Sequence, residues 1–338
     1  MASFSKFGND LYTGELSVNF IGRRRVWYIL AAVLLVISIV VPALRGGYVF
    51  GIEFTGGSQF QIDSVEALAS PDTSAEAQNL ASDTVTGVVA DAAPKVTVVG
   101  TNSLRVQTEQ LESDQSNAVR DALAGAFNVD NDQVAASFVG PSWGADITSS
   151  ALRALLVFIA LAAIMMAIYF RTWKMSIAAM IALLHDIVIT AGVYGIFGFE
   201  ITPSAVIGFL TILGFSLYDT VVVFDKIREN TSEDGSESRR TFSESVNLAV
   251  NQTLVRSINT GVVAALPVAA ILFIGAYVLG AGTLRDIALA LFIGILVGTY
   301  STIFIAAPLY AQFRENEPDI LSRTKRLTAA RAVEKDRK

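Results

Sequence analysis

The chain has 338 residues, of which 52% are hydrophobic and only 17% charged, and its mean hydropathy is +0.51. That composition excludes an ordinary soluble protein and points to a polytopic membrane protein, since about 20 consecutive apolar residues cross a bilayer. With no Cys and a single His, disulfides, thiol catalysis, Cys-ligated metals and a His-rich metal site are excluded; the net charge of −6 averages over regions of opposite sign.

Residues 1–25 hold Lys6, Arg23, Arg24 and Arg25 and read as a basic tail. The apolar run Val26–Leu44 follows. A long leading tail and the lack of an A-x-A site make it an uncleaved first span rather than a signal peptide. Residues 45–147 are the one segment between spans long enough to fold, and they carry 14 Asp and Glu against Arg45, Lys95, Arg105 and Arg120. Alternation predicts a strand at Ser58–Ile62, and Ser74 opens a helix reaching Ala92. Lys95–Val99 and Ser103–Thr108 flank Gly100–Thr101–Asn102 as a hairpin. Ser113 or Asp114 starts a second helix, to Phe127, and Gln133–Val139 is a last strand. The order β-α-β-β-α-β is that of a small ferredoxin-like α+β domain. Its acidic surface reads first as a solvated face; the sharper alternative is contact with extended polypeptide through exposed strand edges.

Residues 148–313 contain five more apolar runs: Ala154–Phe170, Met175–Phe199, Thr202–Val223, Ser257–Gly280 and Ile287–Phe313. Six transmembrane helices are therefore expected. Arg171, Lys174, Lys226, Arg228, Arg239 and Arg240 all fall on the side of the N-terminal tail, and residues 314–338 form a second basic tail there. The connections near Glu200 and between Gly275 and Thr283 hold no Lys or Arg. Both termini are thus expected in the cytoplasm, with residues 45–147 outside.

Asp219 is the one Asp, Glu, Lys, Arg or His in its apolar run, and a carboxylate there costs about 2.5–3.5 kcal/mol on insertion scales. It precedes Asp225 by six residues, which places it about 9 Å inside the basic face. If the fifth span begins near Val250, Arg256 lies at a similar depth, and the two are natural ion-pair partners. Such a pair either fixes helix packing or takes part in a proton relay, and the insertion cost favours the relay. His185 and Asp186 lie about 17 Å in, near the bilayer centre. As sequence neighbours they point to different helix faces, and Asp186 with Thr190 can form either a packing hydrogen bond or a relay site. Gly294 and Gly298, followed by Thr299, Ser301 and Thr302, read as a close helix contact, as do Gly208 and Gly214 around the Asp219 helix. No metal-ligand grouping is present in the sequence pattern.

Three segments carry a specific resemblance. GIEFTGG spans Gly51–Gly57 with Glu53, Phe54 and Gly56 inside it. FDKIREN spans Phe224–Asn230 with Asp225, Arg228 and Glu229. RDIALALFIGILVGTYSTIFIA spans Arg285–Ala306. Together, over Arg25–Phe313, they resemble the SecD/SecF family of protein-export membrane proteins, on its SecF side. The resemblance implies half of a resistance-nodulation-division (RND) type bundle in the cell membrane. SecD would complete that bundle beside the SecYEG channel. It further implies use of the proton-motive force to move unfolded secreted polypeptide outward, with protons as coupling ion, no other cofactor, no enzymatic activity and no nucleic-acid partner. The family's proton-linked Asp and Arg match Asp219 and Arg256. Glu53 stands where the family usually has Asp, and Lys226 where Arg is more usual. Two other functions share parts of this pattern: a proton-driven RND exporter of small molecules, which would have a larger outer portion, and a passive assembly scaffold. An intramembrane aspartyl protease built on Asp186 and Asp219 fits poorly, since their depths differ by about 8 Å.

Overall fold

The computed structural model describes residues 2–63, 65, 71–99, 102–233, 240–275 and 282–336. The expected turn residues Gly100 and Thr101, the basic residue Arg239 and most of the connection between Gly275 and Thr283 lie outside them.

The chain starts with helix α1 (Ala2–Thr13), and α2 (Arg24–Leu44) is the first apolar helix. A short strand β1 (Val49–Phe50) and the single turn α3 (Ile52–Thr55) lead into the outer domain. That domain comprises β2 (Gly57–Ile62), α4 (Pro71–Val88), β3 (Lys95–Val99), β4 (Ser103–Thr108), α5 (Ser113–Phe127) and β5 (Val134–Val139). Its sheet order is β3-β4-β2-β5, antiparallel throughout, which is the split β-α-β arrangement expected from the sequence. Phe60, Ile62, Leu104 and Val106 alternate onto one sheet face, where Ala81, Val85, Val119 and Leu123 of the two helices cover them completely. One start differs from expectation: α4 is already helical at Pro71, so Ser74 lies inside it, whereas α5 begins at Ser113 as expected, with Glu112 before it in a capping box with Gln115.

The membrane region continues with α6 (Pro141–Phe170), α7 (Trp173–Phe197), strand β6 (Glu200–Ile201), α8 (Pro203–Glu233) and α9 (Phe242–Ala270), the last ending in a π-helical turn at Ile271–Gly275. Then come α10 (Gly282–Ser301), a second π turn at Thr302–Ala306, α11 (Ala307–Glu315) and α12 (Pro318–Asp336). Six helical segments are long and apolar enough to cross a membrane: Arg24–Leu44, Ser142–Phe170, Trp173–Phe197, Pro203–Thr231, Phe242–Ile274 and Leu284–Glu315. Most are longer than the apolar runs because the helices continue past the hydrophobic stretch. The fifth begins at Phe242, so the amphipathic Ser243–Asn251 segment and the following span form one helix, capped by Thr241 and Glu244.

Helices α7, α8 and α10 form the inside of the bundle, while α2, α6 and α9 turn broad apolar faces outward. Both segments expected as tails contain helices. Leu11 of α1 is fully buried, and Asn247 and Asn251 of α9 accept from the backbone N–H groups of Phe20 and Val18, each at 2.8 Å. Arg331 of α12 pairs with Glu244 at 2.7 Å.

Glycines set the closest approaches. A β-carbon at Gly294 would overlap the Ile212 side chain, one at Gly298 would come within 3.0 Å of Ser216, and one at Gly208 within 2.6 Å of Ala290. The glycine pair of α10 thus faces α8, as the sequence pattern suggests. Gly214, by contrast, has open space beside it. Gly294→Val should therefore destabilise detergent-solubilised protein by about 1–3 kcal/mol. Gly214→Ala should leave the melting temperature unchanged or slightly raised.

Candidate functional site

The α8–α10 approach carries the polar interior. Asp186 on α7 is 1% exposed, and its Oδ2 accepts from Ser216 on α8 at 2.6 Å and from Ser301 on α10 at 2.8 Å. One carboxylate therefore ties three helices together. His185 Nδ1 lies 3.3 Å from Asp186 Oδ1, so the two neighbours meet although their backbone directions diverge. Thr190 donates to the Asp186 carbonyl, not to its carboxylate. One turn further along α8, Thr220 is 3.0 Å from Thr302. His185 Nε2 and the Tyr300 hydroxyl, whose rings are 6.1 Å apart, are buried without hydrogen-bond partners among the described residues.

Asp219 is 4% exposed and follows Ser216 on α8. Its Oδ1 accepts from Ser257 of α9 at 2.9 Å, while its Oδ2 is buried with no partner among the described residues. The ion pair expected between Asp219 and Arg256 does not form. The depth argument finds the right turn of α9, but successive residues on a helix are rotated by about 100°, and Ser257 rather than Arg256 takes the inward position. Arg256 lies exposed on the outer face of α9, beside the exposed apolar residues Ile258, Val262, Val263 and Leu266.

The two family motifs occupy opposite ends. At the basic end, Asp225 accepts from Tyr169 of α6 at 2.8 Å, and Asn230 donates to Gln252 of α9 at 2.9 Å, bracing the end of α8; Arg228 and Glu229 are exposed. At the other end, Gly51–Gly57 forms the joint between bundle and outer domain. Gly56 and Gly57 have φ of 73° and 125°, which side chains with a β-carbon rarely adopt. Phe54 packs edge-on against Phe50. Strand β1 pairs in parallel with β6, with Val49 opposite Glu200.

Two carboxylates at this joint, Glu200 and Asp286, were not singled out as site residues from the sequence. Glu200 accepts from Arg105 and from Gln107, both on β4. Asp286, at the start of α10, accepts from Thr202 at 3.0 Å and from Arg285 at 3.2 Å. Glu53 Oε2 is buried without a partner among the described residues. Burial pushes the Glu53 carboxyl above its ordinary range; the charges of Glu200 and Asp286 add to the rise, while a backbone hydrogen bond and Arg105 oppose it.

A helical half-bundle with a buried carboxylate seam and a ferredoxin-like outer domain is the architecture of a membrane transport subunit. The family model described as "Protein export membrane protein SecD/SecF, C-terminal" matches residues 118–316. The protein translocase subunit SecF of Streptomyces coelicolor is 43% identical over 332 residues, covering 98% of this chain and 86% of that protein. That of Mycobacterium tuberculosis H37Rv is 41% identical over 334 residues, covering 96% and 73%. The crystal structure of SecDF, a translocon-associated membrane protein from Thermus thermophilus, superimposes with a TM-score of 0.75 at 29% identity. That likeness covers 89% of this chain, which spans about two fifths (39%) of the SecDF chain. The chain belongs to the SecD/SecF family of protein-export membrane proteins, on its SecF side.

Proposed function

We propose that this chain is one half of a proton-driven accessory motor of protein export, completed by a SecD-type subunit and working beside the SecYEG channel in the cell membrane. Both termini face the cytoplasm, and the outer domain acts on the emerging unfolded polypeptide. Protons are the coupling ion, exchanged at Asp219, with Arg256 and Asp186 responding to its charge. One observation carries this reading: Asp219 is buried in a membrane helix with one oxygen held by a neutral serine and the other unpartnered. A carboxylate in that setting is stable when it carries a proton or meets a cation. Arg256 adjoins Ser257 on the outward apolar face of α9, where a partner half can bring it or another charge into play. The joining of both halves in the Thermus thermophilus SecDF protein supports SecD as that partner.

The small-molecule exporter is less favoured, because the outer portion is a single small domain whose core is fully packed. A passive scaffold would leave the isolated carboxylate without a use.

The test is export into inverted membrane vesicles containing this chain and a SecD-type subunit. The increment of export contributed by the pair should disappear when an ionophore collapses the proton gradient. An increment that persists undiminished overturns the proton-driven reading.

A further inference from the structure

The joint between outer domain and bundle holds two polar atoms that ought to be satisfied and are not. Glu53 Oε2 and Arg105 Nε are both buried and unpartnered among the described residues. Between them stands Glu200, which takes the Arg105 guanidinium through Nη1 and also accepts from Gln107. The Arg105 and Glu200 side chains are only 11% and 12% exposed, so this is a largely desolvated contact. Glu53 and Glu200 converge on one glycine: a β-carbon at Gly51 would overlap Glu53 Oε2 and lie 3.1 Å from Glu200 Oε1. The described hydrogen bonds and ion pairs between side chains of the sheet and the bundle converge on this one carboxylate.

We propose that Glu53 and Glu200 form a proton-exchanging seat that positions the outer domain. With Glu53 neutral, Glu200 alone is charged, holds Arg105 and Gln107, and keeps the domain docked. With Glu53 ionised, two carboxylates share one buried space and compete for one guanidinium, whose free Nε is the available donor, and the domain leaves its seat. The proton comes from, and returns to, water on the outer-domain side. The only bond made or broken is the O–H of the Glu53 carboxyl, exchanged with that water.

The surroundings of Glu53 fit this behaviour. Glu200 of β6 and Asp286 of α10 disfavour its charge, and Arg105 of β4 favours it. Strands β1, β2 and β5 bring no titratable residue. Helix α6, whose Gly144 packs on the Phe54 carbonyl, brings only the solvent-exposed Asp146 nearby. Burial lifts the Glu53 carboxyl in the docked form above its value in water. The sign follows: docking is strongest below the ordinary carboxylate range and weakens as pH rises through the raised Glu53 value. The undocked-to-docked ratio changes by about tenfold for each unit by which docking raises that pKa.

This positioning role deepens the proton-driven reading but is measured without export or a gradient, so either can fail alone. The chain has no cysteine, so introduced thiols are the only ones. Thr97 of β3 and Phe197 at the end of α7 line one cavity of about 580 Å³ between sheet and bundle. Spin labels on Thr97→Cys and Phe197→Cys in the full chain, held in lipid nanodiscs, report its width. As pH rises from the ordinary carboxylate range through the raised Glu53 value, the distance distribution should move from one short population toward a longer one. Glu53→Gln should stay short at every pH, Arg105→Ala should be long at every pH, and Glu53→Asp should keep the pH response. A wild-type distribution that ignores pH overturns the proposal. So does a Glu53→Gln protein that still responds, or a Glu53→Asp protein that behaves like Glu53→Gln.

Discussion

Asp219→Asn is expected to abolish the gradient-dependent part of export while leaving the protein inserted and abundant. Asn is nearly isosteric, and its carbonyl can keep the hydrogen bond that Asp219 Oδ1 accepts from Ser257. What it loses is the ability to alternate between charged and neutral forms at a membrane depth where few groups can. Burying a neutral amide is also less costly than burying a carboxylate, so the variant should accumulate at least as well as the parent. Export in energised vesicles and protein level by immunoblot, read together, separate the two effects. Near-normal gradient-driven export by the variant would remove Asp219 from the coupling step. The geometry adds a condition on Arg256. Since the two side chains form no direct ion pair, a double-mutant cycle on the isolated chain should show less coupling than the about 3–5 kcal/mol typical of breaking a buried pair. Coupling should grow when a SecD-type subunit covers the α9 face.

The largest loss of stability is expected at Asp186. Its Oδ2 satisfies Ser216 and Ser301 at once, and all three residues are at most 2% exposed. Asp186→Ala removes the shared acceptor, leaving the Ser216 hydroxyl without its partner in a dry seam and Ser301 with only the 3.2 Å contact to the Gly298 carbonyl, at about 1–3 kcal/mol for an unsatisfied group. It also leaves a void where α7, α8 and α10 meet. A fall in melting temperature well beyond that of Ser216→Ala or Ser301→Ala alone is the expected readout. The triple variant Asp186→Ala, Ser216→Ala, Ser301→Ala should recover part of the loss, because no hydroxyl is then left unpaired. Equal melting temperatures for Asp186→Ala and the parent would show that the carboxylate does not hold the three helices.

The outer domain was largely legible because its signals are local. Period-two burial at Phe60 and Ile62, and at Leu104 and Val106, fixes the strands within a residue. A turn-forming Gly-Thr-Asn marks the hairpin. The membrane region yielded its spans but not their ends, since a helix runs on after its apolar stretch stops, as α9 does from Phe242. Which carboxylate meets which partner was legible in depth but not in rotation, and one residue on α9 separates a buried serine from an exposed arginine. Ser216 gave no signal beyond being small, whereas Ser301 and Thr302 follow the glycine pair that brings α10 against α8, where hydroxyls can bridge helices. Glu200 and Asp286 escaped notice for another reason. Each sits at the edge of an apolar run, where a charge reads as a loop residue, and only the convergence of β4, β6 and α10 buries them.

The parallel pairing of Val49–Phe50 with Glu200–Ile201 also bears on how the molecule is made. In the proposed topology the outer domain, which has its own core, can collapse as soon as its last strand has crossed the membrane. Its seat cannot exist then, because one strand of the ribbon and the acceptor for Arg105 belong to the connection after α7, which is synthesised later. During biogenesis the folded domain must therefore wait, tethered by α2 and α6, until two further helices insert and deliver Glu200 to the outer surface. Insertion of the α7–α8 pair is thus the step at which a membrane-anchored domain becomes a mounted one, and an error in that helical hairpin would leave a well-folded domain with nothing to stand on.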